Sequence, residues 1–189
     1  MTNDSLSGTS QMAGTELCAR MPAPRIGLLP TGHFYYWEQF PGLRDRGINM
    51  YARLVEHLEQ FGEVIAPELV DTADKSRQAG EFFREQKVDL LLVFPFGYTP
   101  GMCVLPAVEG FTAPLRLVNA HEDGTYDYPN ADTADYLHHE GPCCIPEYAA
   151  GLVNLGKKFR VRTGSFQDTR FWNEVRADCV GAAAARAFR

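Results

Sequence analysis

The chain has no run near the roughly 18 consecutive apolar residues that a bilayer-spanning helix needs. Basic residues are outnumbered, 18 Lys and Arg against 24 Asp and Glu, and no cluster of them is prominent. The net charge of −6 argues against a nucleic-acid groove or an anionic membrane surface as partner. Cysteine is sparse and odd in number (Cys18, Cys103, Cys143, Cys144 and Cys179), without C-x-x-C or the spacing of a secreted scaffold. Adjacent Cys143 and Cys144 do not readily pair with each other, so reduced thiols in a cytoplasmic protein are the simplest account. Phosphate loops are missing too. The segment after the first strand is not G-x-G-x-x-G, and G-x-x-x-x-G-K-[ST] occurs nowhere, which leaves nucleotide binding little support. A flavin site would want a Ser/Thr/Gly loop where residues 30–37 offer only Thr31 and Gly32. A receiver domain would want Asp where Phe94-Pro95-Phe96 stands. Residues 1–24 are rich in Ser, Thr and Gly and have no apolar signal core. They read as a disordered leader to one domain over residues 25–189.

What is present alternates between strand and helix patterns. An apolar run at residues 25–29 reads as a first strand. Residues 41–62 carry Ile48, Tyr51, Leu54, Val55, Leu58 and Phe61 at helical spacing and end at a glycine. A short strand at 63–66 and a helix at 72–86, capped by Asp71 or Thr72, come next. Residues 88–94 form the clearest strand, apolar throughout, as a strand buried on both faces is. A Gly/Pro-interrupted helix is expected at about 101–110, a fourth strand at 114–119 and a long loop at 120–130. Residues 131–155 read as mostly helical, with Pro142 and Pro146 breaking or offsetting them. A fifth strand at 158–163, a turn capped by Asp168 and a last helix to about residue 188 complete the pattern. Phe171 and Trp172 are expected to bury that helix. Five βα units with short, right-handed connections predict an α/β, flavodoxin-like three-layer sandwich. Its parallel sheet should have the order 2-1-3-4-5, with helices on both faces.

In such a sheet, ligands bind beyond the carboxyl ends of the strands. That edge should gather Pro30-Thr31-Gly32-His33-Phe34-Tyr35-Tyr36-Trp37 and Phe94-Pro95-Phe96-Gly97-Tyr98-Thr99-Pro100. It should also gather His121, Glu122, Asp123, Tyr126 and Tyr128, together with His138, His139, Glu140 and Cys143. Four of the five histidines lie in these segments. Aromatic faces with polar handles suit a ligand that offers both C–H surface and hydroxyls; rings packed under a loop or against a subunit are the plainer account. His138-His139-Glu140 with Cys143 and Cys144 has metal-ligand residue types without H-E-x-x-H or paired-Cys spacing. Buried thiols beside a helix start explain that stretch as well. A Cys–His nucleophile pair there lacks an orienting third group, and a hydrolase or lyase using His121, His139 and Glu140 is a further reading.

The ordered residues resemble the N-terminal domain of L-arabinose isomerase and the related L-fucose isomerase-like sugar isomerases. The resemblance rests on Thr31-Gly32 with its aromatics, Tyr98-Thr99-Pro100 and Ala113-Pro114-Leu115. His139-Glu140-Gly141 with Pro146-Glu147-Tyr148, and Gly164-Ser165-Phe166-Gln167-Asp168 with Trp172, complete it. It implies an aldose–ketose isomerase whose divalent metal, usually manganese, and catalytic glutamate lie in later domains. This chain would then hold no catalytic or metal residue of its own. The domain would cover a neighbouring subunit's active site, giving it an oligomer or a catalytic-domain polypeptide as partner and a small sugar as ligand. The substrate contacts so implied are Phe34, Tyr36, Tyr98 and His139. The chain departs from the arabinose isomerase pattern at Phe34, where glutamine is usual, and at Leu137-His138-His139-Glu140, where that family has Gln-x-x-His. A stand-alone flavodoxin-like module that binds a polyol without chemistry is the alternative.

Overall fold

The computed structural model describes residues 22–188. Most of the expected leader, and Cys18 with it, lies outside the described residues. Pro24 is buried and its carbonyl accepts from the Glu63 amide at 3.0 Å.

Five strands form one parallel sheet in the order β2-β1-β3-β4-β5: β1 (Arg25–Thr31), β2 (Glu63–Ile65), β3 (Leu90–Pro95), β4 (Leu115–His121) and β5 (Phe159–Ser165). Central β1 and β3 are buried along almost their whole length, as sheets covered on both faces require. Helices α1 (Tyr35–Gln39) and α2 (Leu43–Glu59) follow β1, and α3 (Ala73–Glu85) follows β2. A 3₁₀ turn at Gly101–Cys103 and the single-turn α4 (Leu105–Val108) follow β3. Helices α5 (Thr133–His138) and α6 (Gly141–Asn154) follow β4, and α7 (Thr169–Ala187) follows β5.

Two apolar layers hold the sandwich together. On one face, Met50, Leu54 and Leu58 of α2 and Phe171, Val175 and Cys179 of α7 pack on Ile26, Leu28, Leu90, Leu92 and Val118. On the other, Phe83 of α3, Val108 of α4 and Cys144, Tyr148 and Leu152 of α6 pack on Leu29, Leu91, Val93 and Leu117. The α/β class, the three layers and the strand order are therefore as the alternating pattern predicts.

Three local differences bear on the site. The aromatic segment after β1 is not a loop throughout, because Tyr35–Gln39 is helical. Pro146 does not break the region after β4; it sits inside α6, while Pro142 occupies the first turn, where a missing N–H costs nothing. The cap of α3 is Thr72, whose hydroxyl accepts from the Lys75 amide at 3.3 Å. Asp71 instead accepts from Trp37 Nε1 at 2.9 Å and Lys75 Nζ at 2.6 Å, pinning α1 to the sheet edge. At the other end, Asp168 caps α7 by accepting from the Arg170 amide at 2.8 Å.

Candidate functional site

The carboxyl ends of β1, β3 and β4 open onto one edge, where chain segments distant in sequence meet in two groups. The first is built on β1 and β3. His33 is half-buried, with its ring centroid 5.0 Å from Tyr36, 5.2 Å from Tyr35 and 5.7 Å from Phe34, all edge-on, and 6.4 Å from Tyr98. Phe34 and Tyr35 lie against each other at 4.1 Å and are both exposed. Burial lowers the His33 pKa, against the pull of Asp71, so its imidazole is neutral at physiological pH. Its Nδ1 is buried without a hydrogen-bond partner among the described residues.

Gly97 places Tyr98. Its φ of +93° suits glycine, and a Cβ there would meet the Leu137 carbonyl at 2.6 Å. The loop after β3 thus leans on the end of α5. From the other side α6 holds it. The Thr99 amide donates to Cys144 Sγ at 2.9 Å, the Gly101 amide to Glu147 Oε1 at 2.6 Å, and the charge and hydrogen bond of Glu147 raise the Tyr98 pKa.

The second group is a cavity of about 300 Å³ at the end of β4. His121 and His139 face each other across 5.7 Å with rings 18° from parallel, and Tyr126 stands edge-on to His139 at 4.8 Å. Asp123, Thr125, Tyr128, Tyr136 and Glu140 complete its polar lining. His139 is oriented by its Nδ1 contact to the Asp135 carbonyl at 2.7 Å. Burial and then neighbouring His139 lower the His121 pKa, so that ring too is neutral. Helix α5 carries this wall through a capping box between Asp132 and Asp135, and Arg46 of α2 holds Asp135 at 2.7 Å. Glu140 links the two groups. It lines the cavity, and it is one of the charges that, after burial and Tyr98, raise the Tyr36 pKa.

Of the four contacts that the resemblance singles out, Tyr36 and Tyr98 share the first group around His33, Phe34 lies on its exposed rim, and His139 belongs to the cavity. His138 is different. It is buried, its Nε2 lies 3.7 Å from Glu122, and burial drops its pKa to about 4. It is therefore neutral, and the charge partner of Glu122 is Arg53 at 2.6 Å. Tyr136 was not among the residues singled out. The signal for Tyr136 is its i,i+3 and i,i+4 spacing to His139 and Glu140, which puts all three on one side of the turn.

The surroundings of Cys143 and Cys144 disfavour the thiolate that a nucleophile would need. Cys144 is buried, bonded to Thr99 and to the Gly97 carbonyl at 3.4 Å, and burial pushes it up to about 11. Exposed Cys143 is raised through its hydrogen bond to Glu140. Cys103, Cys143, Cys144 and Cys179 are all free. Among the described residues, no group of three His, Cys, Asp or Glu side chains is arranged to hold a metal ion. The donor set present does not fit manganese. No helix among the described residues is long and apolar enough to cross a membrane.

Neither a protein-family model nor a curated protein matches the chain. The site's geometry and the resemblance of its motifs therefore carry the functional argument.

Proposed function

We propose that this domain is the substrate-covering and oligomerisation unit of an aldose–ketose isomerase of the L-arabinose or L-fucose type. The metal-binding catalytic residues would be supplied by a separate polypeptide or domain. The observation that carries the reading is the convergence of Tyr36, Tyr98, His121, His139 and Glu140 at one sheet edge, beside a cavity of sugar size. Ring faces cover C–H surface, while imidazoles, phenols and one carboxylate exchange hydrogen bonds with hydroxyls. The chemistry of the complete enzyme would be proton transfer through an enediol with a divalent metal polarising the sugar oxygens. On this reading the present residues orient the sugar and exclude water.

The test is titration of the purified chain with L-arabinose, L-fucose and their ketoses, followed by tyrosine and tryptophan fluorescence and by NMR shifts. Binding should localise to residues 33–36, 98 and 121–140. Tyr36→Ala, Tyr98→Ala and His139→Ala should each weaken it roughly threefold to tenfold. Isomerisation by the chain alone with manganese would defeat the proposal, as would shifts confined to another surface. The cavity is lined by the chain's own residues, and this favours one second reading, a self-sufficient polyol-binding module. Tight sugar binding by the isolated chain, with no catalytic polypeptide retained from native extract, would select that module.

A further inference from the structure

The two edges of the sheet are unequal. β2 is only three residues long, and its Glu63 is tied to Arg25 at 3.2 Å. β5 has seven residues, pairs with β4 along its whole length and has no strand partner on its outer side among the described residues. Side-chain alternation puts Arg162 on the α7 face, where Asp178 and Glu174 neutralise it at 2.6 and 3.2 Å. It puts Val161 and Thr163 on the opposite face. There α6 packs over β3 and β4, and Val161 remains 39% exposed. A long unpaired edge with an uncovered apolar strip is a template for strand addition.

Charge decides what that template accepts. At the amino end of β5, on the side away from the cavity, lies a groove of about 510 Å³. It is lined by Arg116, Lys157, Lys158 and Arg160 and by no acidic side chain, although acids outnumber bases in the chain. The basic run Lys157-Lys158-Phe159-Arg160-Val161-Arg162 is a local Lys/Arg cluster, contrary to the expectation of none drawn from the sequence as a whole. Arg116 is bonded to Asp178 at 2.7 Å and Lys157 to the Phe111 carbonyl at 2.7 Å. Lys158 and Arg160 are exposed and have no ion pair among the described residues. A second copy's β5 would bring like charges against them. We propose that β5 is an acceptor edge for an extended acidic segment of another polypeptide, added as a sixth strand. Main-chain hydrogen bonds to β5 supply affinity, Lys158 and Arg160 select carboxylates, and apolar side chains of the added strand cover Val161.

The probes are a capped octapeptide of alternating glutamate and valine, a lysine–valine counterpart, a glutamate–proline version of equal charge, and a single-stranded oligonucleotide. Each is titrated into the full chain by fluorescence anisotropy, with amide exchange read by NMR. The glutamate–valine peptide should bind and slow exchange within residues 159–165. The proline version, in which every second residue lacks an amide donor and has its φ fixed by the ring, should bind at least roughly fivefold more weakly. K158E combined with R160E, at exposed positions that leave the fold intact, should weaken binding roughly fivefold at unchanged Tm. Equal binding of the glutamate–proline peptide would reduce the surface to a plain charged patch and overturn the proposal. Preference for the lysine peptide or the oligonucleotide, protection elsewhere, or no binding would overturn it as well.

Discussion

Burial lowers the pKa of three histidines at this edge, His33, His121 and His138, and His138 the furthest. Its unfolded value near 6.5 falls to about 4 in the folded chain because burial disfavours the charged ring. Below pH 6.5 the unfolded chain takes up a proton that the native chain refuses. Stability is therefore intact above pH 6.5 and is lost as pH falls toward 4, by up to about 3 kcal/mol. Urea unfolding at intervals from pH 7 to 4.5 should show this slope, and His138→Asn should flatten it. An unchanged slope in the variant would assign the acid sensitivity to other groups. The sequence shows that His138 and His139 are adjacent. It does not show that one is buried at the end of α5 beside Glu122 and the other lines the cavity, because burial of neighbouring residues depends on how a short helix end is packed.

Among the elements, α7 illustrates how local chemistry sets boundaries. Asp168 accepts from the Arg170 amide, and Phe171 and Trp172 follow directly as the buried first turn. Asp168→Ala should cost about 1 kcal/mol in chemical denaturation, with little change in slope against denaturant. Strands β1, β2 and β3 were legible because their apolar runs stop at Gly or Pro. Helix α1 was not: it has five residues, none fully buried, and no stripe of apolar spacing to betray it. What makes it is tertiary, the hydrogen bond from Trp37 to Asp71 and the stacking of Trp37 on Phe96 at 5.6 Å. Pro146 was misleading for a related reason. Packing of Cys144, Tyr148 and Leu152 keeps α6 helical through a residue that disfavours it locally.

Across the whole molecule, strand order and the gathering of loops at one edge follow from the right-handed βα rule and were legible without side chains. The division of that edge into a ring cluster around His33 and a cavity around His139 was not, since it depends on where Gly97 and Glu140 place their neighbours. The last helix is fastened to the sheet by a different device, a network in which Asp178 joins Arg116 of β4 to Arg162 of β5. Burial tends to raise the Asp178 pKa, but hydrogen bonds from Arg162 and Arg116 outweigh it and hold the carboxyl below the usual range. Asp178→Ala leaves the largely buried Arg116 guanidinium without an ion-pair partner and Arg162 with Glu174 alone, and should cost about 3 kcal/mol. Arg162→Leu with Asp178→Leu should recover part of that loss. Equal destabilisation by the two variants would show that the network is not what fastens the helix.

The cavity wall between β4 and α5 has one further consequence. His121 is part of the sheet, and α5 is moored to α2 by Arg46, but the stretch joining them, residues 122–132, lies on the surface. Lengthening a loop of this kind adds little closure entropy, about 0.6 kcal/mol for each doubling. Insertions or deletions there would resize the chamber while leaving every strand register untouched. The dimensions of the chamber thus reside in a surface segment and are open to change by drift in loop length alone.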